Sequence, residues 1–373
     1  MGSGCFKRIA DLRVSFIKKL ISLPVNFIIR IGMKRIFLYA LYAVAALTAS
    51  SCAKHVATGP NEAGKRYFDA WLHVNHPDAV PSGRGIYIIE ESEGTGIAVT
   101  KDGYAFVEYT VTDLDGNISS YTSAQTAKML GQYKEANYYG PKAWTTADNT
   151  IMAGVADIVT GMKPGGIRKA VVPSWLLTYS VYGTADEYLK NETDNANAIY
   201  EIKVTDFTKD IQQWQIDSIG GYFNSHRDIF GTMTAADSLK QKGFYYKQVK
   251  APVDTTSFPK DTTIYINYTG KLLSGLVFDT TDEKTAKDNG IWSSSRTYAP
   301  VKVSWGEKFS DIKMGDNTVI SGFSNTLWQM RAMEKGIGIF WSDLGYGKSG
   351  SGNSIPAYSP LVFEIEIVEK PEE

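Results

Sequence analysis

Cysteine is nearly absent from this chain. The 373 residues contain two, Cys5 and Cys52, and both precede anything that reads as a folded domain. That excludes a disulfide framework, a thiol nucleophile and a cysteine-ligated zinc site. Histidine is almost as scarce. His55, His73, His76 and His226 all fall outside the β-rich stretches, so a serine-type triad or a His-rich metal centre has no material. The glycine-rich run at 345–352 lacks both the GK[ST] ending and the following helix of a phosphate loop, and reads as a turn or flap. An excess of positive charge is missing as well. Formal net charge is −1, yet eight bases (Lys7, Arg8, Arg13, Lys18, Lys19, Arg30, Lys34 and Arg35) precede residue 36 against the single acid Asp11. Beyond residue 51, 31 bases face 39 acids, a net of −8, and no basic face remains for nucleic acid. No cofactor and no metal is expected.

A membrane-spanning run is also lacking. The apolar stretch from Ile36 to Ala49 is too short for a permanent transmembrane helix. It follows the basic start Met33-Lys34-Arg35 and leads into Ala49-Ser50-Ser51-Cys52. This resembles a bacterial lipoprotein signal, which implies that Cys52 is lipidated, becomes the mature N-terminus and anchors the protein to a bacterial membrane on the periplasmic face or cell surface. One position departs from that pattern: Ala49 stands where Leu or Val is usual, with Leu47 further back. An uncleaved anchor or a simple secretory peptide is the other reading. Residues 1–32 alternate basic and apolar side chains around Pro24, which suits an amphipathic membrane helix, or a start-site artefact with Met33 as the true initiator.

What the chain does have is length, a globular balance of 12% aromatic and 21% charged residues, and a pattern that goes round twice. In the first round Tyr67, Phe68, Trp71 and Leu72 share one face of a helix with Asn61 as its N-cap. Pro77 and Pro81-Ser82-Gly83 end that helix, and Gly85-Ile86-Tyr87-Ile88-Ile89 opens a strand. In the second round Ile211, Trp214, Ile216, Ile219 and Phe223 recur at helical spacing, a short polar helix is expected around residues 235–242, and Gly243-Phe244-Tyr245-Tyr246 opens a strand. Tyr109 to Tyr268 and Gly116 to Gly275 are each 159 residues apart, and Tyr200 to Phe363 is 163. The resulting division is a leader at 1–52, a helical segment at 53–84, a β unit at 85–207, a helical linker at 208–242 and a second β unit at 243–373.

The strands alternate as half-buried strands should. Ile264, Ile266 and Tyr268 share a face, as do Leu361, Phe363, Ile365 and Ile367. Between them Phe323, Leu327 and Met330 mark one helix from Ser321 to Met330. The order suggests an α+β fold in each unit, a twisted antiparallel sheet wrapped on a short helix. Residues 280–300 look like an exposed insertion.

Four stretches of the second unit fall in a telling order: Asn267-Tyr268-Thr269-Gly270 running on to Phe278-Asp279, then Val319-Ile320-Ser321-Gly322-Phe323, then Leu344-Gly345-Tyr346-Gly347, then Ile355-Pro356 with Leu361–Glu366. Together they resemble the FKBP-type peptidyl-prolyl isomerases over roughly the last hundred residues. The resemblance implies catalysis of cis/trans isomerisation at Xaa–Pro bonds of unfolded or exported polypeptides, assisting folding in the cell envelope. It also implies a site. Phe323 takes the pocket floor, where the family most often has Trp. Tyr268, Phe278, Val319, Ile320 and Phe363 form the walls. Tyr346 supplies a hydroxyl and Ile320 a backbone N–H to substrate carbonyls, Asp279 sits at the rim, and Ile355 closes the flap. Val301, where many relatives carry an aromatic residue, trims the pocket. Any β-sheet core contains such apolar residues; Asp279 discriminates, because a carboxylate inside an apolar run costs stability unless it is hydrogen-bonded or functional.

The first unit carries the same strand and turn in Glu108–Gly116, with further counterparts in Gly161–Arg168, Tyr182-Gly183 and Ile199-Tyr200-Glu201. Its Phe-Asp pair, however, falls on Ser119-Ser120 and its floor on Val155. The expectation is a unit that keeps the fold without the catalysis, with a homodimer through it left open. The rival reading is a non-catalytic envelope protein in which both units hold peptide or protein.

Overall fold

The computed structural model describes residues 61–191, 195–239 and 241–372. Cys52, the apolar run before it and the whole leader lie outside the described residues. Among the described residues no helix is long and apolar enough to cross a membrane.

Helix α1 (Glu62–Asn75) turns Phe68 and Leu72, four apart on one face, into the first lobe. Phe68 meets Trp175 edge-on at 5.5 Å and Tyr87 at 5.7 Å. Trp71 is half-buried, whereas Tyr67 is 56% exposed and does not belong to the packed face. Asn61 occupies the N-cap position without capping. Its side-chain amide reaches across to donate to the carbonyls of Leu189 (3.1 Å) and Asn191 (2.6 Å), so it fastens the helix to the lobe.

The first lobe is built from strands β1 (Pro81–Ser82), β2 (Ile86–Ser92), β3 (Tyr104–Thr112), β4 (Ile118–Tyr121), β5 (Lys142–Thr145), β6 (Ile167–Val172) and β7 (Ala198–Thr208). Helices α2 (Ala124–Met129), α3 (Ala153–Val159) and α4 (Ala185–Lys190) lie between them. Helices α5 (Ile211–Ser225) and α6 (Arg227–Phe230) connect it to the second lobe. There follow β8 (Phe244–Lys250), β9 (Thr263–Leu272), β10 (Val277–Thr280), α7 (Glu283–Asp288), β11 (Val301–Ser304), β12 (Lys313–Met314), β13 (Asn317–Thr318), α8 (Ser321–Gln329), β14 (Lys335–Phe340) and β15 (Leu361–Val368). Every pairing is antiparallel. The first sheet runs β1-β2-β6-β7-β3-β4 with β5 also on β3; the second runs β13-β12-β11-β9-β15-β14-β8 with β10 also on β9.

The two sheets share one plan. The order β2-β6-β7-β3 matches β8-β14-β15-β9, and the registers coincide: Tyr109 faces Ile202 and Val111 faces Tyr200, as Tyr268 faces Ile365 and Gly270 faces Phe363. Even the irregularities repeat. A bulge sits at Ser119 in β4 and at Phe278 in β10. Thr122 and Thr281 each accept from, and donate to, the backbone of the tyrosine across the hairpin. Helices α3 and α8 approach their sheets through a glycine, where a Cβ on Gly154 would strike Val172 and one on Gly322 would strike Phe340.

Two expected elements differ. The polar helix at 235–242 is a turn: Asp237 accepts from the N–H (2.7 Å) and hydroxyl (2.9 Å) of Thr234, and such local bonds compete with helix formation. The short helix in this region is α6 instead. Residues 280–300 are largely exposed, as expected, but not structureless. They carry α7, capped by Asp282 and seated by the fully buried Ala286; the first lobe has the same device in α2, with Ser123 as cap and Ala127 buried.

The lobes are joined by packing. Phe106 stacks on Trp214 of α5 at 4.0 Å, and Tyr104 meets Tyr358 at 5.1 Å. On its other side α5 inserts Ile219 and Phe223 beside Phe230 of α6 and Tyr245 and Val362 of the second lobe. Beyond α8 the buried carboxylate of Glu334 takes bonds from the Tyr246 hydroxyl (2.5 Å), the Gln248 amide (2.9 Å) and the Arg331 N–H (2.7 Å). Unpartnered, it would cost several kcal/mol.

Candidate functional site

The second sheet curls around α8, and the space between them is aromatic. Ile320 occupies the N-cap of α8 with extended backbone, so the first helical turn points Phe323 at the sheet. Phe323 meets Tyr268 of β9 edge-on at 5.4 Å and Phe363 of β15 at 5.1 Å. Phe278, at the β10 bulge, meets Phe363 at 5.6 Å, and Phe340 stacks behind Phe363 at 5.7 Å. Edge-to-face contacts of this kind contribute about 0.5–1.5 kcal/mol per pair beyond the burial of the rings. Tyr268, Phe323, Phe363 and Ile355 are buried, while Phe278, Val319 and Ile320 are half-buried against the same cluster. Val301 pairs with Ile266 and packs at the cluster's edge. The flap is a tight loop closed by a bridge between Ser351 and Ile355. Tyr346, just after the 3-10 turn that follows β14, is 36% exposed.

Gly270 makes room for these rings. A Cβ there would lie 2.6 Å from a Phe278 ring carbon and 2.8 Å from one of Phe363. An isolated glycine inside a strand is the sequence mark of such a close approach, and it went unread.

Polar groups occur at one side. The Tyr268 hydroxyl donates to Asp279 Oδ2 at 2.6 Å, and Arg296 pairs with the other carboxylate oxygen. Burial, reinforced by the Asp279 carboxylate, pushes the Tyr268 phenol well above its ordinary range, which keeps it a donor. The Tyr346 phenol is raised for the same two reasons in the same order, so Asp279 is close enough to be felt there. Asp279 is thus not embedded in an apolar wall. Its side chain is 34% exposed and doubly partnered. Arg296 was invisible to sequence reading, because it lies 17 residues away in the segment taken for an insertion. Among the described residues the Ile320 N–H has no acceptor within the chain.

Of the nine residues singled out in the second unit, Tyr268, Phe278, Val319, Ile320, Phe323, Ile355 and Phe363 fall in one apolar cluster, and Asp279 is bonded to Tyr268 at its edge. Among the described residues the first lobe lacks these rings at the matching positions. Val111 replaces Gly270, Ser119 and Ser120 replace Phe278 and Asp279, and Val155 replaces Phe323. The Val111 side chain is buried where the second lobe places rings. Ser119 bonds the Val111 carbonyl at 3.3 Å. Tyr200, opposite Val111 as Phe363 is opposite Gly270, has its phenol raised to about 12 by burial.

A bulged antiparallel sheet wrapped on one helix, with an aromatic cup between them, defines the FKBP-like α+β class. The family model for the FKBP-type peptidyl-prolyl cis-trans isomerase matches residues 255–368, within the second lobe. FK506-binding protein 2 of Dictyostelium discoideum is 30% identical over 128 residues, 34% of this chain and 77% of its own length. The macrophage infectivity potentiator of Trypanosoma cruzi is 31% identical over 108 residues, 29% of this chain and 43% of its own length, so the chain spans under half of that relative. A crystal structure of the three FKBP domains of wheat FKBP73 aligns over 76% of this chain and 93% of its own at 17% identity, with a TM-score of 0.27. The chain belongs to the FKBP-type peptidyl-prolyl cis-trans isomerase family.

Among the described residues no group of three or more His, Cys, Asp or Glu side chains is placed to hold a metal ion. What the cup offers is apolar surface with a few hydrogen-bond groups on its rim.

Proposed function

We propose that the second lobe catalyses cis/trans isomerisation of Xaa–Pro bonds. The barrier, ~18–20 kcal/mol, comes from the partial double bond of the planar amide. Twisting the amide removes that resonance and its charge separation, so an apolar enclosure favours the twisted state over the polar planar one. The aromatic cup of Phe323, Tyr268, Phe278 and Phe363 is the observation that carries this reading. The proline ring would enter the cup, and the Tyr346 hydroxyl and Ile320 N–H would hold flanking carbonyls. Asp279, with its two partners, would keep the rim polar. The test is acceleration of Xaa–Pro isomerisation in a short peptide by the intact chain. A rate equal to the uncatalysed one would leave the second reading, a peptide-binding protein without turnover, which Phe323 in place of the family's usual Trp and the small Val301 favour.

The clients would be proline-containing unfolded polypeptides. We place the protein in a bacterial cell envelope, lipid-anchored through Cys52, on the strength of the Met33–Cys52 sequence alone. Cys52→Ala should then move it from the membrane fraction to the soluble one; a variant that stays membrane-bound would reject the lipid anchor. A homodimer through the first lobe is part of the same proposal, and sedimentation of the intact chain decides it.

A further inference from the structure

We propose that the first lobe and α5 act as a clamp on the second lobe's site: through Gln215 and Tyr104 they set the backbone around Tyr346 and so place its hydroxyl for the proline peptide. What that hydroxyl does rests on the isomerase reading; the clamp itself does not.

Tyr346 comes from a stretch that no sheet ladder holds. Between β14 and β15 the chain makes a 3-10 turn (Ser342–Leu344) and then the flap, with one isolated bridge between Ser351 and Ile355. Its position must come from other bonds. The Ser342 carbonyl accepts from the N–H groups of Gly345 and Gly347, both at 2.8 Å, on either side of Tyr346. The Gly347 carbonyl in turn accepts from the Tyr358 N–H at 2.9 Å. Ser342 and Tyr358 thus fix the backbone that carries the hydroxyl. Each is held by residues outside 255–368, the span that the family model matches.

Ser342 opens the 3-10 turn, so its N–H has no partner within the turn. Gln215 Oε1 of α5 accepts it at 2.7 Å, with both residues buried. Gln212 and Gln213 on the same helix are exposed. A buried amide costs stability unless it is bonded, and here the bond goes to the turn that leads to Tyr346. Tyr358 has a φ of +58°, a left-handed conformation that a residue with a side chain keeps only when its surroundings fix it. The first lobe supplies those surroundings. The Tyr358 ring meets Tyr104 of β3 edge-on at 5.1 Å, and its hydroxyl lies 3.5 Å from Thr145 Oγ1 of β5. Between these two points the Tyr138 N–H, from the first lobe's 131–141 loop, donates to the Asn353 carbonyl in the flap at 2.8 Å. The lobe that lacks the rings therefore has a part in the site without touching substrate, and Gln215 and Tyr104 are positioning residues.

The experiment uses the intact chain with Gln215→Met, which keeps the length of the side chain and removes the acceptor, and Tyr104→Ala, which removes a half-buried ring. Tyr104→Phe, which keeps the ring, is the conservative variant that should restore the wild-type rate. In the first two, kcat/KM for a short Xaa–Pro peptide should fall about three- to tenfold, no further than in Tyr346→Phe. In a Tyr346→Phe background neither change should cost more, because the hydroxyl they place is gone. Amide hydrogen exchange should quicken about tenfold at Gly345, Gly347 and Tyr358 and stay as in the wild type along β9 and β15. Wild-type kcat/KM in both variants, losses that persist at full size beside Tyr346→Phe, or exchange that quickens equally along β9 and β15 would each overturn the proposal. If the wild type itself turns over no peptide, the isomerase reading fails and Kd for the same peptide takes the place of kcat/KM. A three- to tenfold rise in Kd with the same pattern then keeps the clamp, and an unchanged Kd removes it. If Gln215→Met does not fold, Tyr104→Ala decides alone.

Discussion

The two lobes share strand order, register, the β-bulge and the glycine beneath the helix, yet one gathers a cluster of aromatic rings where the other packs aliphatic and serine side chains. Val111 against Gly270 and Ser119 against Phe278 decide whether the bulged hairpin admits aromatic rings or an aliphatic side chain. Backbone pairing does not depend on either choice, so the fold survives where the cup does not. A cluster of this kind rests on which side chains fill the space beneath the bulge, and that can change without disturbing the hydrogen-bonded sheet around it.

The comparison can be broken most decisively by importing the first lobe's residue. Gly270→Val places side-chain atoms where Phe278 and Phe363 now stand. Overpacking of this sort costs about 1–3 kcal/mol of stability. Isomerase rate should fall on the order of a hundredfold, as ~2.7 kcal/mol of lost transition-state stabilisation implies. Thermal midpoint and rate measured together check it, and a variant that folds and keeps its rate would show that the cup is not the site.

Asp279→Val comes next. Sequence alone suggested that removing a carboxylate from an apolar run would relieve the fold. With Tyr268 and Arg296 both bonded to it, its loss strands two donors and should instead lower stability by about 1–3 kcal/mol, with activity falling as well. A rise in thermal midpoint would show that the pair contributes nothing.

Tyr346→Phe removes a single rim hydroxyl, which contributes about 0.5–1.5 kcal/mol net, so the rate should drop by roughly a few-fold to tenfold with the midpoint unchanged. The same substitution at Tyr182, its counterpart in the first lobe's sequence, should leave the rate alone.

The smallest effect is expected from pH. Burial and Asp279 raise the phenols of Tyr268 and Tyr346, so both stay protonated across neutrality. A group whose pKa is raised on folding contributes stability that is complete below its unfolded value, ~10 for tyrosine, and is lost as pH rises above it. Rate and stability should therefore be flat from about pH 6 to 9 as far as these groups are concerned. A sigmoidal rate profile centred in that range would point to a titrating group outside the cup.

Much of this was written in the pattern of residues. Alternation named the buried faces of β9 and β15, helical spacing named α1, α5 and α8, and the 159-residue interval already aligned Ser119-Ser120 with Phe278-Asp279. Elements governed by local side-chain bonds were read less well. The Thr234–Asp237 turn passed for helix, because composition does not show which hydrogen bond wins. Asn61 passed for a cap, because its true partners are about 130 residues away.

Sequence by itself determined the α+β class, the duplication and the aromatic character of the second lobe, since periodicity and spacing are properties of the chain. Only the tertiary structure decided that Gly270 is where two rings meet the strand, that Arg296 holds Asp279, and that the first lobe's 131–141 loop touches the flap. Each of these is a meeting of atoms far apart in sequence, set by how strands register and lobes pack, and no local pattern encodes such distances.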